Sequence, residues 1–260
     1  MPKTSSNETP LCPGASARLA GAPASAVAYR DVLWLSDKTV LTVEFLNGTK
    51  WQQSYVKAMA TKHYHGFGMR LRFEFLGANA DRRSDIRIEF ACSPNDRRRS
   101  WSCVGRGAEA LPDTATIWLN IPLFRPRVLW ELRKAQADVL HELAHSLGLE
   151  HEHCHPYCNV SWNKRGRRRI AQDRSNHMKI QNLDAVEYTS YDKKSITHYP
   201  VKRSETTNRT WLPLNIKLSK GDKKFLKQVY PIRRRGRAAS HNGSAQVGIV
   251  QVGGPDRGRS

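Results

Sequence analysis

The stretch HELAHSLGLEH, from His141 to His151, constrains this chain of 260 residues more than any other feature. At 3.6 residues per turn, His141 and His145 lie one turn apart on the same face of a helix. Gly148 can adopt the left-handed conformation that ends a helix, so the chain turns back and brings His151 towards the other two rings. The spacing therefore predicts three imidazoles around one point.

Three imidazoles around one point are typical of a catalytic zinc site. Their ring nitrogens bind Zn²⁺ at about 2.0–2.1 Å, and three protein ligands leave a fourth position for water. Glu142 follows the first histidine, where a carboxylate can reach that water without binding the metal, as a general base must. We therefore expect one zinc ion per chain, held by His141, His145 and His151, with Glu142 as the general base. A helix with scattered histidines is the alternative, and it would match every fixed position of this pattern only rarely.

The whole pattern resembles the zinc motif of the metzincin metalloproteases, and a second segment narrows the resemblance. YDKKSITHYP, Tyr191–Pro200, resembles the turn Y-D-x-x-S-I-M-H-Y of the astacin family. Other segments are similar to astacin-like proteases of the fungal type: SDIRIEF, SWSCVG, HEH, SWNK and LSKGDKKFLKQVYP. The similarity extends from about Leu33 to Pro231, which is most of the chain.

The resemblance implies a zinc-dependent endopeptidase with an α+β, metzincin-type fold of two lobes. The upper lobe has a twisted mixed sheet with two helices, and the lower lobe is irregular with a C-terminal helix. On this resemblance, a zinc-activated water is expected to hydrolyse peptide bonds of extended protein or peptide substrates between the lobes. Tyr199 is implied to approach the zinc at rest and to swing away to stabilise the charged intermediate; a packed core tyrosine is the alternative.

Substrate recognition is expected along a strand edge. The strand ATIWLNI, residues 115–121, is the candidate edge that offers backbone hydrogen bonds to an added strand. Lys202 and Arg203 follow the turn, where they could favour an acidic residue just beyond the cleaved bond; solvated charges are the alternative.

Two features depart from the family pattern. Thr197 stands where the astacin turn carries the methionine that forms an apolar floor beneath the zinc ligands, and its hydroxyl needs a partner if buried. We expect a perturbed floor and an intact metal site. The first residues show no recognisable signal peptide. Secretion, implied by the family, therefore stays open beside a cytoplasmic location and export by another route.

The sequence leaves two alternatives to an active protease, one of which comes from its charge. Lys and Arg number 43 against 23 Asp and Glu, a formal net charge of +20. The basic clusters are Arg97–Arg99, Lys164–Arg169 and Arg233–Arg237. They predict solvated surfaces or nonspecific contact with polyanions, since no nucleic-acid-binding signature accompanies them. A catalytically impaired zinc-binding pseudo-protease and a polyanion-binding module both remain. No apolar run is long enough to span a membrane, and we expect a monomer.

The five cysteines are Cys12, Cys92, Cys103, Cys154 and Cys158, so at least one is unpaired within the chain. Cys92 and Cys103 flank a polar loop that a disulfide could close. Cys154 and Cys158 could form a second bridge after the third histidine. A second zinc site that uses Cys154, His155 and Cys158 lacks a clear fourth ligand.

Periodicity predicts the elements and the domain limits. Alternating residues predict strands at 39–46, 69–76, 85–91 and 115–121. Helical spacing predicts helices at 49–64, 126–147 and 223–229, with a weak helix at 173–182 and a polar loop at 93–107. We expect a mobile leader over 1–32, a catalytic domain over 33–232 and a disordered basic tail over 233–260. The catalytic domain divides into an upper lobe over 33–148 and a lower lobe over 149–232.

Overall fold

The structure is a computed structural model that describes residues 27–77, 83–93, 95–96, 98–171 and 182–232. Its strands are β1 (Val27–Tyr29), β2 (Val40–Phe45), β3 (Arg72–Phe75), β4 (Ile86–Phe90), β5 (Trp101–Ser102), β6 (Ile117–Leu119) and β7 (Val186–Tyr188). Its α-helices are α1 (Lys50–Tyr64), α2 (Leu129–Ser146), α3 (Lys164–Ala171) and α4 (Lys220–Val229). Mixed strands and helices confirm the predicted α+β class.

A five-stranded mixed sheet has the order β3-β2-β4-β6-β5. All neighbours in it are parallel except β5, which pairs antiparallel with β6 through Trp101 opposite Trp118 and Ser102 opposite Ile117. The prediction that residues 115–121 form the edge strand is therefore wrong, because β6 lies inside the sheet. The edge is β5, within the segment predicted as a loop, and a two-residue strand is too short to show an alternating pattern.

The main core lies between this sheet and the helices. Apolar side chains of β2 and β4 pack against Val56 and Ala60 of α1 and against Leu140 and Leu143 of α2, all buried. The Tyr64 hydroxyl, fully buried here, donates to the carbonyl of Leu140 at 2.5 Å. This packing fixes α2 against the sheet over its second half.

The ends of the elements differ more from the predictions than their middles do. Helix α2 begins at Leu129, three residues beyond the predicted start, and Leu129 is 60% exposed rather than part of the buried stripe. Helix α4 places Phe225 and Leu226 in the main core, although the sequence assigned it to the lower lobe.

A second core is formed by Cys158, Val160, Trp162, Ile170, Val201 and Leu212.

The stretch predicted as a mobile leader is ordered at its end. Strand β1 pairs antiparallel with β7, and Ala28 is fully buried. Arg30 donates to the carboxylate of Glu187 at 2.8 Å. The composition of this stretch, rich in small residues, gives no sign of strand β1, because the partner strand β7 lies far away in the chain. Residues 1–26 and 233–260 lie outside the described residues, as do 172–181, which hold most of the predicted weak helix.

The cysteines do not pair as predicted. Cys103 is disulfide-bonded, whereas Cys92 is an exposed thiol, so the predicted bridge between them is wrong. Cys154 and Cys158 are buried thiols. In the described part of the chain, no helix combines the length and apolar character needed to cross a membrane.

Candidate active site

The end of α2 turns the chain back towards the site. Gly148 has φ +90°, a conformation that side chains strain. Its N–H donates to the carbonyl of His145 at 2.8 Å, and the N–H of Leu149 donates to the carbonyl of Ala144 at 3.1 Å. This pair of bonds is the Schellman motif that closes a helix. The turn expected from the sequence at Gly148 is therefore formed.

Two side chains from the main core satisfy the last carbonyls of α2. The indole N–H of Trp34 donates to the carbonyl of Ser146 at 2.8 Å. The hydroxyl of Tyr230 donates to the carbonyl of Leu147, also at 2.8 Å. Carbonyls at a helix end have no partner within the helix, so these contacts anchor the end of α2.

The structure brings the three predicted histidines together. The Nε2 atom of His145 lies 3.0 Å from Nε2 of His141 and 3.2 Å from Nε2 of His151. Ligands of a tetrahedral zinc at about 2.0–2.1 Å would lie about 3.4 Å apart, which is within a few tenths of an ångström of these distances. Among the described residues this is the one group of three or more potential ligands, and it can hold a metal ion.

Backbone carbonyls orient two of these rings. Nδ1 of His141 lies 3.0 Å from the carbonyl of Ile196, and Nδ1 of His145 lies 2.6 Å from that of Leu149. A carbonyl accepts only, so each Nδ1 carries the proton and each Nε2 presents a lone pair towards the third ring. In the neutral form of these two rings, Nε2 is therefore the nitrogen left to bind a metal.

Glu142 and Tyr199 line the same cavity as the three histidines, a space of about 850 Å³. Glu142 is 5% exposed. The ring of Tyr199 lies 4.6 Å from that of His151 and stacks on His141 at 5.7 Å, with an interplanar angle of 10°. Tyr199 is half-buried, with its ring packed against the histidines and also lining the cavity.

The turn beneath the site is polar where the astacin pattern is apolar. Thr197 is fully buried, and its hydroxyl lies 3.0 Å from that of Ser195. Ser195 donates to Asp222 at 2.7 Å, and the N–H of Ile196 donates to the same carboxylate at 2.9 Å. The Thr197 hydroxyl therefore has the partner that burial demands.

Asp222 is a residue that the sequence reasoning missed. Its carboxylate caps α4 by accepting from the N–H of Ser219 at 2.8 Å, while it also holds the turn. Burial raises the pKa of Asp222, an effect that its accepted hydrogen bonds oppose in part. The capping-box spacing of Ser219 and Asp222 was the available signal, but it does not reveal the contact with the turn.

His153 and His155 follow the third predicted ligand and are not among the clustered potential ligands. Nε2 of His155 lies 2.8 Å from the carbonyl of Thr189. His153 is buried and stacks on Tyr199 at 4.8 Å, and burial lowers its pKa well below the usual value. Both rings therefore pack the segment that follows the third predicted ligand.

His198 links the turn to Tyr191. Its Nε2 accepts from the Tyr191 hydroxyl at 2.8 Å, and its Nδ1 donates to the carbonyl of Tyr199 at 2.8 Å. Burial lowers the pKa of His198 to about 4. The ring is therefore neutral near pH 7, the state in which it can make both bonds.

The acidic residues beside the third histidine are buried, whereas the basic residues that follow the turn are exposed. Glu150 and Glu152, on either side of His151, are both buried. Glu152 accepts from the N–H of Asp192 at 2.6 Å, which joins the third histidine's segment to the turn. Lys202 is exposed and lines the cavity, and Arg203 is exposed beside it.

Comparison with known proteins shows what the chain is similar to. Residues 133–228 match the model of the peptidase family described as Astacin. The chain is similar to a structure of myroilysin, with 26% identity and a TM-score of 0.67 over 80% of this chain and 100% of that one. A crystal structure of myroilysin is similar at 25% identity and a TM-score of 0.55, over 78% and 87%.

A third similar structure is high choriolytic enzyme 1, a hatching enzyme zinc-protease from Oryzias latipes (medaka fish). It shares 17% identity and a TM-score of 0.47 over 77% of this chain and 94% of that chain. None of the curated proteins matches the chain. The likeness to fungal members in particular stays a prediction.

Proposed function

We propose that this chain, a zinc metalloendopeptidase of the astacin family, cleaves extended polypeptides with His141, His145 and His151 as zinc ligands and Glu142 as general base. The observation that carries the proposal is the convergence of three Nε2 atoms in a cavity that Glu142 also lines. A buried carboxylate beside three neutral imidazoles has few structural uses, whereas peptide hydrolysis needs both.

Bound at these three residues, a zinc ion would supply a Lewis acid that polarises the scissile carbonyl and lowers the pKa of a water molecule. The protein contributes the three neutral nitrogens, and backbone carbonyls hold two of them in place. We propose one zinc ion per chain and a monomeric enzyme.

Glu142 takes a proton from the attacking water and returns it to the leaving amine. Its low exposure keeps bulk water away from the carboxylate, and a positioned base of this kind contributes about 10²–10⁴ in rate. Tyr199 donates a hydrogen bond from its phenol to the oxyanion that forms on the substrate carbonyl. Its ring contacts with His141 and His151 support this role by keeping the phenol at the cavity.

The substrate binds as an added strand along β5. Trp101 and Ser102 line the cavity, and in the described sheet β5 pairs with β6 on one side only. Pairing through backbone groups supplies affinity with little sequence preference, so side-chain subsites must supply the specificity.

The test is a metal assay combined with proteolysis of a denatured protein. We expect cleavage that a chelator abolishes and Zn²⁺ restores. Glu142→Gln should retain one equivalent of zinc and lose about 10²–10⁴ in kcat/KM. Full activity in Glu142→Gln would remove the assigned base, and absence of tightly bound metal from the wild type would overturn the whole proposal.

A pseudo-protease is the second candidate, because Thr197 replaces the methionine of the family's turn. It predicts bound zinc without turnover in the wild type and turnover in Thr197→Met. The hydrogen bond from Thr197 to Ser195 counts against it, since the floor beneath the ligands is polar yet fully satisfied.

A further inference from the structure

Two exposed tryptophans line the cavity away from the histidines. Trp130, in the first turn of α2, is 60% exposed, and Trp211 is 58% exposed. Both rings border the cavity that holds the candidate active site. Trp130 also continues an exposed apolar run that includes Phe124, Val128 and Leu129. Exposed apolar clusters that adjoin a cleft commonly mark a binding surface.

Trp130 lies on the face of α2 that carries the predicted ligands. The cavity is lined along this helix by Trp130, Lys134, Asp138, His141 and His145, which follow one another at intervals of three or four residues. With a rise of 1.5 Å per residue, Trp130 lies about 16 Å along the helix from His141. An extended peptide advances about 3.3 Å per residue, so a substrate that runs along this face of α2 reaches Trp130 about five residues from the cut.

Trp211 approaches the cavity from a different segment. The next residue, Leu212, exchanges two backbone hydrogen bonds with Val201, at 2.9 and 3.0 Å. Val201 comes two residues after Tyr199, so this pairing ties the Trp211 segment to the turn of the candidate active site. Trp211 is therefore held at the cavity by backbone contacts while more than half of its side-chain surface is left open.

Along α2, the surface between Trp130 and His141 should not attract a charged substrate side chain of either sign. Lys134 and Asp138 lie on this stretch of α2 and form an ion pair, so their two charges neutralise each other. An indole face binds aliphatic and aromatic side chains strongly, and buried Trp anchors dominate many interfaces. Selectivity at this distance from the cut should therefore be for an apolar side chain.

We propose that Trp130 forms a remote subsite that binds an apolar side chain of the polypeptide substrate about five residues from the scissile bond, with Trp211 as a further apolar contact in the same cavity. This inference rests on the proposed endopeptidase function. The exposed rings are then specificity determinants, because only substrates long enough to reach them gain the contact.

The kinetic test uses peptides with one fixed cleavage sequence, extended residue by residue on either side. We expect kcat/KM to rise about fivefold to tenfold when Leu rather than Gly occupies the fifth position on one side. Trp130→Ala should reduce that rise and leave the shortest peptides unaffected, and Trp130→Phe should preserve it. Trp211→Ala should lower kcat/KM for the long peptides with Leu and with Gly alike. Tyr157→Ala is the matched control, because Tyr157 is 60% exposed but lies outside the cavity lining.

A binding test separates this inference from the proposed function. In Glu142→Gln, the long Leu peptide should bind about fivefold to tenfold more tightly than its Gly counterpart, and Trp130→Ala should remove the difference. Cleavage of short peptides with no gain from the fifth residue would overturn the subsite and leave the proposed function standing. Failure to cleave any peptide, together with selective binding, would overturn the proposed function and leave the subsite.

Discussion

The main core and the turn of residues 195–199 position the candidate active site in different ways. In the main core, apolar contacts from α1, α4 and the sheet hold α2, with a few hydrogen bonds at the helix end. The turn depends on directional polar contacts, through Asp222, Ser195 and His198. Dense apolar packing involves no titrating group, whereas a buried polar network depends on every partner and on its protonation state.

The difference follows from the tasks of the two regions. The helix must present two rings at one turn's spacing, and packing against a sheet achieves this. The turn must place Tyr199 beside those rings with little regular structure around it, and hydrogen bonds can fix a short irregular segment. We therefore expect the two regions to fail under different perturbations.

The largest effect should come from a cavity in the main core. Leu140→Ala removes a fully buried side chain of α2, so we expect the free energy of unfolding to fall by about 4 kcal/mol. Urea titration monitored by circular dichroism measures this change. The folded fraction should retain its metal, because the backbone of α2 stays in place. A loss of metal without a loss of stability would contradict the role given to this packing.

Asp222→Ala should disrupt the turn of residues 195–199 instead. It leaves the Ser195 hydroxyl and the N–H groups of Ile196 and Ser219 without their acceptor, which should cost about 3 kcal/mol of unfolding free energy. Because Ile196 also contacts His141, kcat should fall more than the folded population does. Asp222→Asn, which keeps an acceptor oxygen, is the control. Equal losses in both variants would mean that the charge, and not the hydrogen bonds, holds the turn.

Acid should weaken the turn through His198. Its pKa is about 4 in the fold and about 6.5 when unfolded, so between these values only the unfolded chain takes up a proton. The stabilising contribution is complete above pH 6.5 and is lost as the pH falls towards 4, by up to about 3 kcal/mol. Unfolding of the metal-free protein across this window measures it. His198→Gln should flatten the dependence, and an equally steep curve in this variant would assign it elsewhere.

The smallest effect should come from Thr197→Val. Valine keeps the shape of threonine but removes the hydroxyl that meets Ser195, so we expect a loss of about 1 kcal/mol in unfolding free energy. Thermal unfolding checks the stability, and zinc content should be unchanged. An unchanged unfolding free energy would show that this hydroxyl contributes no net stability to the floor.

Local patterns predicted the regular parts of the fold well. The strand at 39–46 and the helix at 49–64 correspond to β2 and α1, because alternation and helical spacing are visible within a few residues. The spacing of His141, Glu142 and His145 likewise implies one helical face, and Gly148 explains how the chain returns. These features depend on neighbours in the sequence.

Features that depend on distant partners were not predicted. The edge strand β5 is two residues long, and β1 is a strand only because β7 lies beside it. Cys103 is bonded to a cysteine other than Cys92, a choice that sequence spacing alone cannot determine. Asp222 holds a turn more than twenty residues away in the chain. In each case the partner is set by the fold and leaves no periodic trace.

The carbonyls of Ile196 and Leu149 have a consequence for protein engineering. Because the acceptors that orient His141 and His145 belong to the main chain, no side-chain replacement at those two positions deletes them. Libraries that vary the surrounding residues should therefore preserve ring orientation wherever the backbone path survives. Loss of the site by substitution at a distance should concentrate at positions that set that path, with Gly148 first among them.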